Sequence, residues 1–356
     1  MAVTGGGRGV GSRRPLVTVL GASGLIGCAL TRELARRPIR LRVVSRRDFA
    51  LPSKPVAELE ARTADLLEEG ALAEAVAGSD AVVHLVAHMV GVTRWRLDEH
   101  DTVAERVNLG LVRDLVEALR DTRRPGARPV VLFAGTISQV GLASRPRLDG
   151  TEPDLPQGAY DRQKLAAERL LKHATREGVL RAVSLRMPTV FGHEPHSAAP
   201  DRGVVSTMIR RALADLPLTL WHDGTVLRDL IHVEDVARAF AAALDHAEEL
   251  SGGHWLLGSG RGEHLGEVFT RIAAAVSDRT GRPPVPVVSV SPPDQAEVTD
   301  FHSYEIDCSR FRGVTGWWPR VPLQEGLERT VQTLAEQCRV PDGPARGGPV
   351  PGTRGA

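Results

Sequence analysis

Gly21-Ala22-Ser23-Gly24-Leu25-Ile26-Gly27 stands directly after the apolar run Leu16 to Leu20 and opens an amphipathic stretch from Leu25 to Arg36. Glycines at this spacing let the chain turn tightly, let a pyrophosphate approach the backbone, and let the new helix pack closely on its strand. The helix start adds N–H donors and the positive end of its dipole. The stretch therefore predicts dinucleotide binding at a first strand-to-helix turn, lined by Gly21, Ser23, Gly24, Leu25, Ile26 and Gly27.

Working outward, Leu16 to Leu20, Leu41 to Val44, Ala81 to Val86 and Val130 to Phe133 are apolar, β-branched runs without polar alternation, as central parallel strands require. Between and after them, Leu25 to Arg36, Glu69 to Ala77, Val103 to Arg120 and Asp161 to Arg176 carry apolar residues at three- and four-residue intervals, the helical period. Strand then helix, repeated, predicts an α/β fold: a Rossmann-type doubly wound parallel sheet. After Arg186 the rhythm breaks, with Pro- and His-rich loops (His193 to Pro200) and a Pro-rich connector (Pro283 to Pro293). The expected division is a tail over 1–14, a dinucleotide-binding domain over 15–188 that also receives about 229–258, a smaller substrate-binding lobe from 189–228 and 259–338, and a second tail over 339–356.

The 356 residues are 42% hydrophobic and 25% charged, with a net charge of +1, so no single-sign field exists to hold nucleic acid or an anionic membrane. No apolar run approaches a bilayer span of roughly 18 residues, and residues 1–14 lack the apolar core of a secretory signal. Three unpaired cysteines, Cys28, Cys308 and Cys338, build neither a disulfide framework nor a zinc site. The histidines, including His88, His193, His196, His222 and His232, have no metal-ligand spacing, so no metal is expected. A cytoplasmic protein follows as the default.

The second strand ends in Ser45-Arg46-Arg47, where an NAD-preferring protein usually places an acid for the ribose diol. Two guanidiniums suit a ribose 2′-phosphate, which favours NADP(H) over NAD(H). Asp65 and Leu66, after the third strand, are candidates for the adenine edge.

The chain holds two tyrosines, Tyr160 and Tyr304, and three lysines, Lys54, Lys164 and Lys172. Tyr160 and Lys164 are four residues apart at a helix start, which puts both on one face. A neighbouring ammonium is expected to favour phenolate and bring the phenol, ordinarily near pKa 10, closer to working range as an acid or base. A hydroxyl at the end of a core strand completes such a site. Thr136 in Val131-Leu132-Phe133-Ala134-Gly135-Thr136-Ile137-Ser138 supplies it, with Ser138 as the alternative.

By these motifs the chain from about Pro15 to Gln337 resembles an extended short-chain dehydrogenase/reductase, in the branch of nucleotide-sugar epimerases, dehydratases and ketoreductases. Asp80-Ala81-Val82-Val83-His84-Leu85-Val86-Ala87, Asn108, Arg186 to Gly192, Arg228 to Ala237 and Gly316-Trp317-Trp318-Pro319 add to the likeness. The resemblance implies that Thr136, Tyr160 and Lys164 are catalytic, that Val86, Ala87, Asn108 and Pro188 border the cofactor, and that Thr189 and Arg228 hold a nucleotide-sugar diphosphate; His88 is a candidate either for the substrate pocket or for a plain loop position. Sugar 4,6-dehydratases of this type carry an acidic pair after the threonine, where this chain has Ile137-Ser138. The run from His84 through Val112, with Trp95-Arg96 and Ala104 to Asn108, is similar to C-4 ketoreductases of antibiotic deoxysugar pathways, which implies a TDP-4-keto-6-deoxyhexose substrate. An epimerase with tightly bound cofactor and a non-catalytic NADP-binding sensor are the alternatives. Helices over Val103 to Arg120 and Asp161 to Arg176 are candidate homodimer surfaces.

Overall fold

The computed structural model describes residues 13–88, 101–121, 128–194, 197, 201, 203–292 and 298–339. Trp95, Arg96, His196 and both outer tail segments, 1–12 and 340–356, lie outside them. Arg13 and Arg14, expected in the tail, are held by ion pairs to Asp80 at 3.3 Å and Glu58 at 3.3 Å.

The strands are β1 (Leu16–Leu20), β2 (Arg40–Ser45), β3 (Glu58–Thr63), β4 (Ala81–His84), β5 (Val130–Thr136), β6 (Arg147–Leu148), β7 (Arg181–Met187), β8 (Thr189–Phe191), β9 (Leu218–Leu220), β10 (Leu227–His232), β11 (His254–Leu256), β12 (Gly262–His264), β13 (Val287–Ser289) and β14 (Glu305–Ile306). The helices are α1 (Leu25–Leu34), α2 (Ala71–Val76), α3 (Thr102–Glu105), α4 (Leu111–Asp121), α5 (Ala159–Arg176), α6 (Val204–Leu213), α7 (Val233–Asp245), α8 (Ala247–Leu250), α9 (Leu265–Thr280), α10 (Ser309–Thr315) and α11 (Leu323–Arg339).

Seven strands form one parallel sheet in the order β11-β7-β5-β4-β1-β2-β3. This is the doubly wound Rossmann arrangement expected, and the order reverses between β1 and β4, where such sheets open a crevice. Helices α1 and α7 pack on one face through Leu30, Leu34, Val236 and Phe240. Helices α2, α4 and α5 cover the other through Leu72, Leu115, Ala167 and Leu171. A third core joins α6, α9 and α11 to β9 and β10, around Ile209, Leu218, Leu230, Phe269 and Leu334.

Several elements differ from the sequence expectations for physical reasons. β3, with the charged sequence Glu58 to Thr63, is the sheet's edge, so only some of its side chains need be apolar. β7 hides Ser184 and Arg186 inside the core because both are paired there. The helix expected over Val103 to Arg120 is interrupted by a π-helical turn at Arg106–Gly110, which carries Asn108. Within the expected Pro-rich connector, β13 pairs in parallel with β9. Among the described residues no helix is long and apolar enough to cross a membrane.

His84 ends β4 wholly buried, and neither ring nitrogen has a hydrogen-bond partner among the described residues. Burial, with Lys164 adding to it, pushes its pKa down from 6.5 to about 3. Its folded value lies below its unfolded one, so the unfolded chain takes the proton first as pH falls and stability declines from about pH 6.5 downward. Between pH 7 and 5 this group should cost about 2 kcal/mol. His84→Leu is expected to narrow the drop in melting temperature between those pH values, and an unchanged drop would refute this assignment.

Candidate functional site

The glycine turn sits at the carboxyl end of β1. Gly21 has φ +85°, and its N–H and that of Ala22 donate to the Val44 carbonyl at 3.0 and 3.1 Å, which sets the turn beside the end of β2. A Cβ on Gly21 would come within 3.2 Å of the Leu85 and Val86 backbone after β4. A Cβ on Gly27 would lie 2.2 Å from the Gly21 carbonyl oxygen, so the helix can seat against its turn only without a side chain there. Gly24 starts α1 in an extended conformation with no side-chain cap, and the first-turn N–H groups, including those of Leu25 and Ile26, have no intrahelical acceptor. Ser23 accepts a hydrogen bond on its carbonyl from the Ser197 hydroxyl at 3.1 Å. This backbone cradle, which side chains would fill, fits a dinucleotide pyrophosphate.

Arg46 and Arg47 follow β2, both exposed, close to the turn through Val44. The nearby acid, Asp48, instead accepts the Thr63 hydroxyl at 2.6 Å. Asp65 is a local turn former, accepting the Leu67 N–H at 3.0 Å, and the Leu66 side chain is buried in the core. Asp65 thus closes its own turn, and Leu66 anchors the loop. Val86 is half-buried and Ala87 exposed just past β4, and Pro188 joins β7 to β8.

Asn108, 1% exposed, accepts the His88 N–H at 2.7 Å and donates to the His88 carbonyl at 3.1 Å and to Gln163 at 2.8 Å. It thereby pins the segment after β4 to α5. The His88 ring stands 4.0 Å from Asp101.

β5 and α5 bring the chemistry-bearing residues together. Lys164, 2% exposed, lies with its Nζ 4.0 Å from the centre of the Phe133 ring on β5. Three residues on, Thr136 ends the strand, half-buried, its Oγ1 2.8 Å from the Ser138 Oγ. Ser138 donates to Asp161 at 2.5 Å, and Asp161 adjoins Tyr160, which is 7% exposed. The expected acidification of Tyr160 is not what the structure has. Burial, with Asp161 adding to it, raises the phenol above its ordinary 10, while burial lowers Lys164 from 10.5 to about 7 against the pull of Glu168. Removing both groups from water favours their neutral forms. A phenol held protonated is a proton donor rather than a base.

Arg228 stands on β10. Its two terminal nitrogens donate to the carbonyls of Leu227 at 2.9 Å, His302 at 2.5 Å, Thr299 at 3.0 Å and Asp300 at 2.7 Å, and its guanidinium lies 5.1 Å from the Tyr304 ring centre. Three of these bonds go to the 299–302 segment and one to Leu227, which together engage all four terminal N–H groups. Thr189 shares a side-chain hydrogen bond with Tyr304. Among the described residues no group of three or more His, Cys, Asp or Glu side chains could hold a metal.

Sequence reasoning missed Gln139, Glu168, Arg186, Asp161 and Tyr304. The one available signal was Ser184 and Arg186 alternating in an otherwise apolar strand, which demands a buried partner.

Comparisons with known proteins follow the same lines. A model of the NAD dependent epimerase/dehydratase family matches residues 17–258. A dTDP-L-rhamnose 4-epimerase of Burkholderia thailandensis is 26% identical, covering 90% of this chain and 95% of that protein. A UDP-glucose 4-epimerase of Mycolicibacterium smegmatis is 30% identical over 71% of this chain and 75% of its own. Among solved structures, MoeE5 in complex with UDP-glucuronic acid and NAD superposes with a TM-score of 0.73 at 28% identity, covering 90% of this chain and 99% of that one.

Proposed function

This chain belongs to the NAD-dependent epimerase/dehydratase family, and we propose that within it the protein uses NADPH to reduce the C-4 ketone of a TDP-linked 4-keto-6-deoxyhexose. The observation that carries this reading is the end of β2, where Arg46 and Arg47 are exposed next to the glycine turn and Asp48 is turned onto Thr63. Guanidiniums there favour a ribose 2′-phosphate. A net reductase must exchange its cofactor at every turnover, for which NADPH is the usual source. The similarity of His84 through Val112 to C-4 ketoreductases supports the substrate.

When bound, the reduced nicotinamide supplies the hydride. Tyr160, held protonated by its burial, donates the proton to the C-4 oxygen. The Thr136 hydroxyl swings from Ser138 to donate to that oxygen and stabilises its developing charge. Lys164 holds the nicotinamide ribose, and Val86, Ala87, Asn108 and Pro188 border the cofactor. Thr189, with Tyr304, and His88 face the sugar nucleotide. Ile137 is buried and Ser138 is a hydroxyl, so the acidic pair that expels water in dehydratases is missing from this turn.

The test mixes purified protein with NADPH and a panel of TDP-4-keto-6-deoxyhexoses, follows loss of nicotinamide absorbance, and reads the product configuration at C-4 by NMR. Replacing Arg46 and Arg47 together with alanine is expected to raise KM for NADPH about 10-fold, the scale of roughly 1.4 kcal/mol of lost phosphate contact, with NADH unaffected. Equal effects on both cofactors would remove the 2′-phosphate role.

A second reading is favoured by the two relatives named above, both 4-epimerases, and by NAD in the MoeE5 structure. An epimerase oxidises and re-reduces one carbon, so it would interconvert nucleotide-sugar epimers without net NADPH loss and retain oxidised cofactor through gel filtration.

A further inference from the structure

We propose that Ser138 and Gln139 form a two-point clamp that sets Thr136 against Tyr160 and Lys164, with Gln139 the principal positioning residue. This rests on the reading of those three as the reacting groups. The problem the clamp solves is topological. Thr136 ends β5 and Tyr160 opens α5, and between them run a one-turn 3-10 helix at Ile137–Val140, the two-residue β6 and otherwise irregular chain. Local chain geometry does not fix their separation.

Two bonds from consecutive residues do. The Thr136 N–H donates to Gln139 Oε1 at 3.0 Å, and Gln139 Nε2 donates to Glu168 Oε2 at 3.1 Å. Ser138 Oγ donates to Asp161 at 2.5 Å. Asp161, Lys164 and Glu168 recur at i, i+3 and i+7 on α5, so the two anchors bracket Lys164, and the first of them adjoins Tyr160. Gln139 is 0% exposed and Glu168 1%. In that setting, each bond lost would strand a buried polar group.

The orientation of the Gln139 amide is dictated chemically. Glu168 is a carboxylate that already accepts from Ser184 at 2.7 Å, from Arg186 at 3.0 and 2.8 Å and from Lys172 at 2.7 Å, so it can only accept from Gln139. The amide must give Glu168 its NH2 and keep its oxygen for Thr136. Gly135 makes the room: a Cβ there would lie 3.2 Å from Gln139 Oε1 and 3.0 Å from the Ser184 hydroxyl.

The clamp is tested by Gln139→Met, which keeps the volume and deletes both bonds, and by Gln139→Glu. The charged and titratable groups around this position are Glu168, Asp161 and Lys164 on α5, the lysine with its pKa lowered to about 7 by burial, Arg186 on β7 with Asp154 beyond it, and Lys172 and His254 around Glu168. A neutral glutamic acid reproduces the amide, accepting from Thr136 and donating to Glu168; an ionised one cannot donate and repels Glu168. Because misplacement by about 1 Å costs on the order of 100-fold, Gln139→Met should lower kcat about 30-fold with NADPH affinity within about 2-fold. Exchange of the Thr136 amide hydrogen should quicken about 10-fold as its acceptor is lost. Gln139→Glu should match the Met variant at pH 8 and regain most of the wild-type rate, measured at the same pH, as pH falls toward about 6. Ser138→Ala, losing one point of attachment, should lower kcat about 5-fold.

A kcat within about 2-fold of wild type in Gln139→Met, or parallel pH profiles for the Met and Glu variants, overturns the clamp. Should Gln139→Met not fold, the pH recovery of Gln139→Glu decides alone. If wild-type protein consumes NADPH with none of the ketones, the reductase reading falls, and the amide exchange still judges the clamp: unchanged exchange at Thr136 overturns it, faster exchange upholds it.

Discussion

Tyr160→Phe is expected to lower turnover at least about 100-fold, the scale of a lost, positioned proton donor, while NADPH binds within about 2-fold of wild type. The expectation follows from where the phenol sits. Tyr160 is 7% exposed on the first turn of α5, so phenylalanine keeps the ring's packing with Ala104 and Ala159 and removes only the oxygen. Burial holds the phenol protonated above its ordinary value of 10, which suits donation to a developing alkoxide at neutral pH. Stopped-flow mixing with NADPH and ketone separates the hydride step from cofactor binding. Near-normal turnover in this variant would remove Tyr160 from the chemistry, whatever else the protein does.

Gly27→Ala addresses the other half of the site. The added methyl would stand 2.2 Å from the Gly21 carbonyl and 2.7 Å from the Ala22 backbone, and backbone cannot swing aside as a long side chain can. Either α1 lifts from its turn or the turn itself moves, and both carry the first-turn N–H groups away from the pyrophosphate. Overpacking of this kind costs about 1–3 kcal/mol of stability. Loss of a shared set of charge-assisted backbone contacts adds an expected weakening of NADPH affinity of about 100-fold, or roughly 2.7 kcal/mol. Calorimetric titration with NADPH gives the affinity directly. Binding within about 3-fold of wild type would show that the dinucleotide does not rest on this turn.

Much of this was legible before any coordinates. The order of strands and helices in the first half follows from short-range periodicity, because each buried strand and each half-buried helix must advertise its apolar face within its own residues. The glycine turn was legible for the same reason: the requirement for no side chain at Gly21 and Gly27 is local and absolute. Where pattern failed, burial was partial or polar. β3 is an edge strand with charged residues, β7 carries Ser184 and Arg186 into the core, and β13 hides in a proline-rich stretch.

By itself, then, the order of residues determined the doubly wound sheet, the place of the glycine turn after β1, and the setting of Tyr160 and Lys164 on one helical face. The tertiary structure alone decided what those groups experience. Whether Tyr160 is made more or less acidic depends on how much water each partner keeps, and burial raised the phenol and lowered the lysine. That Arg228 is held by the carbonyls of Thr299, Asp300 and His302 depends on a segment some 70 residues away. Gln139 looks like any turn residue until β5, β7 and α5 close around it. Local pattern specifies elements because their forces act within a few residues; dielectric environment and hydrogen-bond partners arise only where distant segments meet.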